Sequence, residues 1–282
     1  MASATKIFYI EGNIGSGKST LIRHLRSLAQ KRHRLMIGHT PFAETGSFIY
    51  QIKKTLYSIY CMYMQNYSYS SYLYQDSDSD DEDDVEFSYS DECSNILGKK
   101  IIFLEEPLHE WEKITDPSGK NILQKFYEDQ HKYAFAFQVM SLQTRSRQLR
   151  RAVEENPDAI IVSERSIFTD RDIFAKMLHD DGKIDPLEMK VYNLVFDETR
   201  KILDGTVQKR IYLQSSPENT FAKKCGRNRP GEEGVSLDYL KKCHEYHQGE
   251  FSNSDLVINI DDYHVDTPKY SILLRTLMDF IN

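Results

Sequence analysis

Five short apolar runs recur along the chain and read as β-strands: Lys6–Ile10 (KIFYI), Lys100–Glu105 (KIIFLE), Ala159–Ser163 (AIIVS), Arg210–Gln214 and Leu256–Ile260. Between them apolar residues recur at helical spacing. Leu21, Leu25 and Leu28 follow the first run, and further helices are predicted near Asn121–Tyr127, His131–Glu154, Thr169–His179, Pro186–Leu203, Pro217–Lys224 and Ser236–Glu250, with a last one from Pro268. Strands separated by helices predict an α/β fold, a five-stranded parallel sheet covered by helices on both faces. In such sheets ligands bind at the carboxyl ends of the strands, so the residues after each run are where chemistry is expected.

The pattern breaks once. From about Lys31 to Gly98 the chain turns tyrosine-rich (Tyr57, Tyr60, Tyr63, Tyr67, Tyr69, Tyr72, Tyr74) and then acidic from Asp76 to Asp84, with Ser77 and Ser79 between. Such a segment cannot bury enough apolar surface to order itself, which predicts a disordered insertion over residues 33–98 within a single domain spanning 1–282. Residues 76–92 hold ten Asp or Glu and no Lys or Arg; removing those ten from the formal charge of −7 leaves +3. That balance suits a binder of phosphates and falls short of a nucleic-acid surface.

No apolar run approaches the ~18 residues of a membrane span, and Met1–Thr5 is too short for a signal peptide. The four cysteines (Cys61, Cys93, Cys225, Cys243) lie far apart without a CxxC pair, as reduced thiols would. A soluble, cytoplasmic protein is expected. Cys243, His244 and His247 resemble metal ligands superficially, but their neighbours read as a helix, which argues against zinc.

The first strand runs into Gly12-Asn13-Ile14-Gly15-Ser16-Gly17-Lys18-Ser19-Thr20, which fits GxxxxGK[ST] in the strand, loop and helix setting that the motif needs. Glycines let backbone N–H groups close around phosphates, the helix N-terminus favours negative charge, Lys18 reaches the outer phosphates and Ser19 can ligate Mg²⁺. ATP or another nucleoside triphosphate, with Mg²⁺, is the expected ligand. The dinucleotide pattern GxGxxG is absent. After the second strand comes Glu105 to Trp111 (EEPLHEW), after the third Glu164 to Arg171 (ERSIFTDR), and after the fourth, beyond a helix, the basic loop GRNRPGEEG at 226–234.

Together with FQ at 137–138 and TRSR at 144–147, these ordered motifs resemble the deoxynucleoside kinases, on the deoxycytidine and deoxyguanosine kinase branch. The likeness covers nearly all of the chain except about 33–98. That insertion is one departure, and Lys223, where an additional lid arginine would stand, is another. The resemblance implies a P-loop kinase fold with an Arg-rich lid, and transfer of the γ-phosphate to the 5′-hydroxyl of a deoxynucleoside. It further implies Glu106 as general base, Arg165 beside it, Lys18 as phosphate clamp, and Glu164 with Ser19 on Mg²⁺. Arg227 and Arg229 would close on the phosphates. Tyr127 and Glu232 would hold the 3′-hydroxyl; Trp111, Phe137 and Phe174 would line the base slot, with Gln138 bonding the base. The pair Arg145 and Asp170 would favour deoxycytidine or a purine deoxynucleoside over thymidine. The loop at Asp261 and Asp262 would lie by the donor's base, and the helices at 131–154 and 186–203 could form a homodimer, with no nucleic-acid or membrane partner.

Two alternatives share parts of this pattern. A nucleoside monophosphate kinase has the same sheet and loop but usually carries a DR pair after the third strand, where ERS stands here. A catalytically silent kinase-like subunit tends to lose the loop lysine or the base, yet Lys18, Ser19, Glu106 and Arg165 are all present. No family motif falls within 33–98, so the insertion is expected to be dispensable for chemistry.

Overall fold

The structure is a computed structural model that describes residues 4–37, 93–94, 99–227, 229 and 231–282. β1 (Lys6–Glu11) leads through the glycine loop into α1 (Lys18–Ile37); β2 (Cys93–Ser94), β3 (Lys100–Leu104), α2 (Leu108–Glu112), α3 (Ile122–Glu128), α4 (Gln130–Glu155) and β4 (Ile160–Glu164) follow. The chain then passes through α5 (Ile167–Thr169), a π-helical turn (Asp170–Ala175) and α6 (Lys176–Asp180) into α7 (Pro186–Thr199) and a 3₁₀ turn (Arg200–Leu203). β5 (Val207–Gln214), α8 (Pro217–Arg227), α9 (Leu237–Phe251), β6 (Leu256–Asn259) and α10 (Pro268–Ile281) complete it.

The sheet order is β2-β3-β4-β1-β5-β6. The five apolar runs form its parallel part, and β2 adds an antiparallel edge that two residues are too few to announce in the sequence. Side chains alternate across β1: Ile7 and Tyr9 enter a core shared with Ile102, Leu104, Ile161 and α4, while Phe8 and Ile10 enter a second with Leu21, Leu25 and Leu277. Burial on both faces explains why the strand is apolar at successive positions.

Helix starts follow local chemistry. Asp185 accepts from the N–H groups of Leu187 and Glu188, Glu188 reaches back to the N–H of Asp185, and Pro186 opens α7, so the sequence DPLE closes a capping box. Asn121 and Gln124 do the same for α3. The helix predicted over Thr169–His179 is interrupted by the π turn, a form frequent at functional sites and invisible to apolar periodicity.

α1 runs on to Ile37 and Cys93–Ser94 pairs with β3, so both ends of the segment expected as an insertion belong to the fold. The expectations of disorder, and those on the tyrosine cluster and the acidic run, fall on 38–92 and 95–98 and lie outside the described residues. Among the described residues no helix is long and apolar enough to cross a membrane.

Candidate active site

At the carboxyl ends of β1, β3 and β4 lies a cavity of about 200 Å³. The glycine loop forms one end. Gly12, Gly15 and Gly17 take φ of 150°, 80° and 91°. A Cβ at Gly15 would collide with the Thr220 carbonyl oxygen in α8, and one at Gly12 with the Leu213 carbonyl oxygen at 2.8 Å, so the loop needs glycine for both conformation and space. Asn13 donates from Nδ2 to the Leu240 carbonyl at 2.8 Å, fixing the loop to α9. Lys18 Nζ donates to the carbonyls of Gly12 (3.0 Å) and Asn13 (2.8 Å), folded back across the loop. Burial, reinforced by Arg165, lowers its ammonium to about 7. Ser19 Oγ donates to Glu164 Oε1 at 3.1 Å, which brings two hard oxygens together beside the loop.

Across the cavity, Glu106 follows β3 and Arg165 follows β4. Glu106 Oε1 accepts from Arg165 at 2.6 Å and from Arg145 at 3.0 Å. Burial alone would raise the Glu106 carboxyl, but Arg165, Arg145 and Lys18 outweigh it and hold the group at about 2. Arg165 adopts φ 62°, a left-handed conformation that costs a non-glycine residue about 1–3 kcal/mol. Arg145, 3% exposed, spends its guanidinium on three partners: Glu106, Asp170 Oδ2 at 2.9 Å and the Glu164 carbonyl at 2.7 Å. Asp170 is raised by burial, against the pull of Arg145.

An aromatic slot extends from this charge cluster. Trp111 meets Phe137 edge-on at 5.4 Å, and Phe137 stacks on Phe126 at 4.6 Å. The Trp111 indole donates to Thr144 Oγ1 at 2.9 Å. Phe174 carries the Arg165 guanidinium over its ring at 5.1 Å. Above the mouth, Glu232 is held by Arg227 (2.7 and 3.1 Å to Oε2) and by Arg229 at 3.4 Å, while Gly231, φ 90°, turns the lid.

Every residue singled out from the sequence for the site lines this cavity except Gly12, Asn13, Ser16, Arg145, Asp261 and Asp262. Asp261, expected near the donor's base, bonds Ser215, the Ser216 N–H (2.8 Å) and Lys223 (3.4 Å), outside the cavity lining. Sequence reasoning missed Phe126, Ser141 and Tyr239, which also line it. Phe126 adjoins Tyr127, and Tyr239 lies three residues after the Ser236 that caps α9, but their types and spacing carry no chemical signature. Cys243 and His247 are buried among Tyr212, Phe174 and Phe251, and His247 Nδ1 bonds the Cys243 carbonyl at 2.6 Å.

A phosphate loop on a central strand, facing a carboxylate clamped by two arginines across an aromatic slot, defines a P-loop phosphotransferase for a small hydroxyl-bearing acceptor. The sequence model of the family described as "Deoxynucleoside kinase" matches residues 91–281, well over half of the chain, and the chain belongs to that family. It is similar to a fowlpox virus (strain NVSL) protein named "Probable deoxycytidine kinase", 34% identical over 188 residues that cover 64% of this chain and 77% of the relative. Human deoxycytidine kinase is 28% identical over 198 residues (61% of this chain, 74% of the relative). The mitochondrial deoxyguanosine kinase of Xenopus laevis is 28% identical over 180 residues (57% and 66%). Family membership makes the chain a phosphotransferase that takes phosphate from a nucleotide and gives it to a deoxynucleoside, and disfavours both the monophosphate kinase and the silent subunit.

Proposed function

We propose that the chain moves the γ-phosphate of ATP, or of another nucleoside triphosphate, to the 5′-hydroxyl of deoxycytidine or a purine deoxynucleoside. The buried Arg145–Asp170 pair carries the acceptor choice. Asp170, which lines the slot and is held by Arg145 from behind, can accept from an exocyclic amino group, and the pair leaves little room for the thymine methyl. Gln138, buried in the same slot, adds a donor and an acceptor for a base edge, and Trp111, Phe137 and Phe174 supply its flat walls. Tyr127 and Glu232 would hold the 3′-hydroxyl.

Glu106 takes the proton of the 5′-hydroxyl as that oxygen attacks the γ-phosphorus, and Arg165 offsets the charge that develops beside it. Lys18, Arg227 and Arg229 gather the phosphates. Ser19 and Glu164 offer the oxygen donors that Mg²⁺ prefers, 3.1 Å apart beside the loop, so they fit that ion; when bound it would neutralise phosphate charge. Phosphorylation of a panel of deoxynucleosides and monophosphates by ATP and Mg²⁺ tests the reading. Highest kcat/KM with thymidine would overturn the acceptor choice.

The catalytic domain, on this reading, spans 1–282 with its insertion near 33–98, because β1 and the phosphate loop precede the matched residues yet β1 lies between β4 and β5. It works in the cytoplasm as a homodimer through α4 and α7. Leu187 and Leu194 on α7 are 72% and 70% exposed, which favours a protein-covered face. Light scattering gives the mass, and a monomer at micromolar concentration would remove the dimer.

A further inference from the structure

Glu11 ends β1 and is fully buried, yet it neither joins an apolar core nor lines the cavity. Its Oε1 accepts the Ser166 N–H at 3.1 Å, and its Oε2 accepts the Thr169 hydroxyl. On the other side of the same corner, the Arg165 N–H donates to the Ile10 carbonyl at 3.1 Å. Residues 10 and 11 therefore grip the chain on both sides of Arg165, the residue at φ 62°. A buried carboxylate is costly unless hydrogen-bonded, and here both oxygens find donors in the turn that follows Arg165. A carboxylate accepts both donors through separate oxygens; glutamine would keep one acceptor for the Ser166 N–H, turn its NH₂ towards the Thr169 hydroxyl so that this group must accept instead of donate, and lose the charge.

We propose that Glu11 is a positioning residue: it holds Arg165 in the left-handed conformation from which its guanidinium reaches Glu106, and so ties the start of the phosphate loop to the acceptor side of the site. Glu11 is covalently joined to Gly12, the first glycine of the loop, so the two halves of the reaction share one anchor. The inference deepens the reading of Arg165 and Glu106 given above and rests on it.

The test is a double-mutant cycle with Glu11→Gln, Arg165→Lys and the two combined, run with MgATP and whichever deoxynucleoside the wild-type enzyme prefers, so an error in acceptor choice leaves it intact. Glu11→Gln should lower kcat by about 10- to 100-fold, with the stoichiometry of deoxynucleoside binding unchanged. In the Arg165→Lys background it should cost no more than about twofold. Independent, multiplying losses would overturn the proposal, as would a kcat loss matched by fewer binding sites. An unimpaired Arg165→Lys enzyme would defeat the underlying reading and this proposal with it, and would do so visibly. If Glu11→Gln does not fold, Thr169→Val carries the same cycle. A loss of about 3- to 10-fold confined to the Arg165 background is then expected, and an unchanged kcat overturns the idea.

Discussion

Glu106 lies under two guanidinium groups, and its proposed work as base sets what its loss should cost. General-base assistance contributes about 10² to 10⁴ in rate. Glu106→Gln should lower kcat within that range while ATP binding and the fold survive; a variant keeping more than about a tenth of wild-type kcat would rule out the assignment. Gly15→Ala places a methyl group against the Thr220 carbonyl at φ 80°, so the loop must shift. Its affinity for ATP should fall at least about tenfold in calorimetry, since several backbone N–H contacts move together. The residues behind these predictions were legible because their types are unusual at strand ends: a loop lysine between glycines, and arginines beside acids. Glu11 was not. A single glutamate closing an apolar strand gives no hint that two donors from residues 166 and 169 will meet it, because that meeting exists only once β1 lies beside β4.

Among the elements, α9 carries a group that binds no ligand and still sets a pH dependence. His247 is fully buried, and burial lowers its pKa to about 3 despite its bond to the Cys243 carbonyl. Unfolded, the same imidazole titrates near its ordinary 6.5. The unfolded chain therefore binds the extra proton first, and stability that is complete above pH 6.5 is lost as pH falls towards 3. The slope is about 1.4 kcal/mol per pH unit, or about 2 kcal/mol by pH 5. Urea unfolding at pH 5 and pH 7 should show this difference in the wild type and a smaller one in His247→Gln; equal pH dependence in both would exclude the histidine as its source. The sequence marked a helix near Ser236–Glu250, but not that His247 would face inward. The π turn was equally hidden, because one extra residue per turn leaves apolar spacing readable as an ordinary helix.

At the scale of the molecule, α1 ends beside β2, and the strands, the cavity lining and the lid arginines that the described residues supply lie within 6–37 and 93–259. Replacing 38–92 with a short Gly/Ser linker should leave kcat/KM within about threefold, because extra loop length costs only about 0.6 kcal/mol per doubling. A folded deletion variant without activity would show that the segment shapes the site. The three-way grip of Arg145 has a broader effect. Its guanidinium touches Asp170 in the proposed base-reading wall and Glu106 in the proposed proton-accepting role, so recognition and turnover draw on one charge. Substitutions at Arg145 that widen the choice of nucleobase should also slow every nucleoside accepted, and selection for new acceptors would favour changes that first place another cation beside Glu106. On the proposed roles of Asp170 and Glu106, breadth and speed would evolve together.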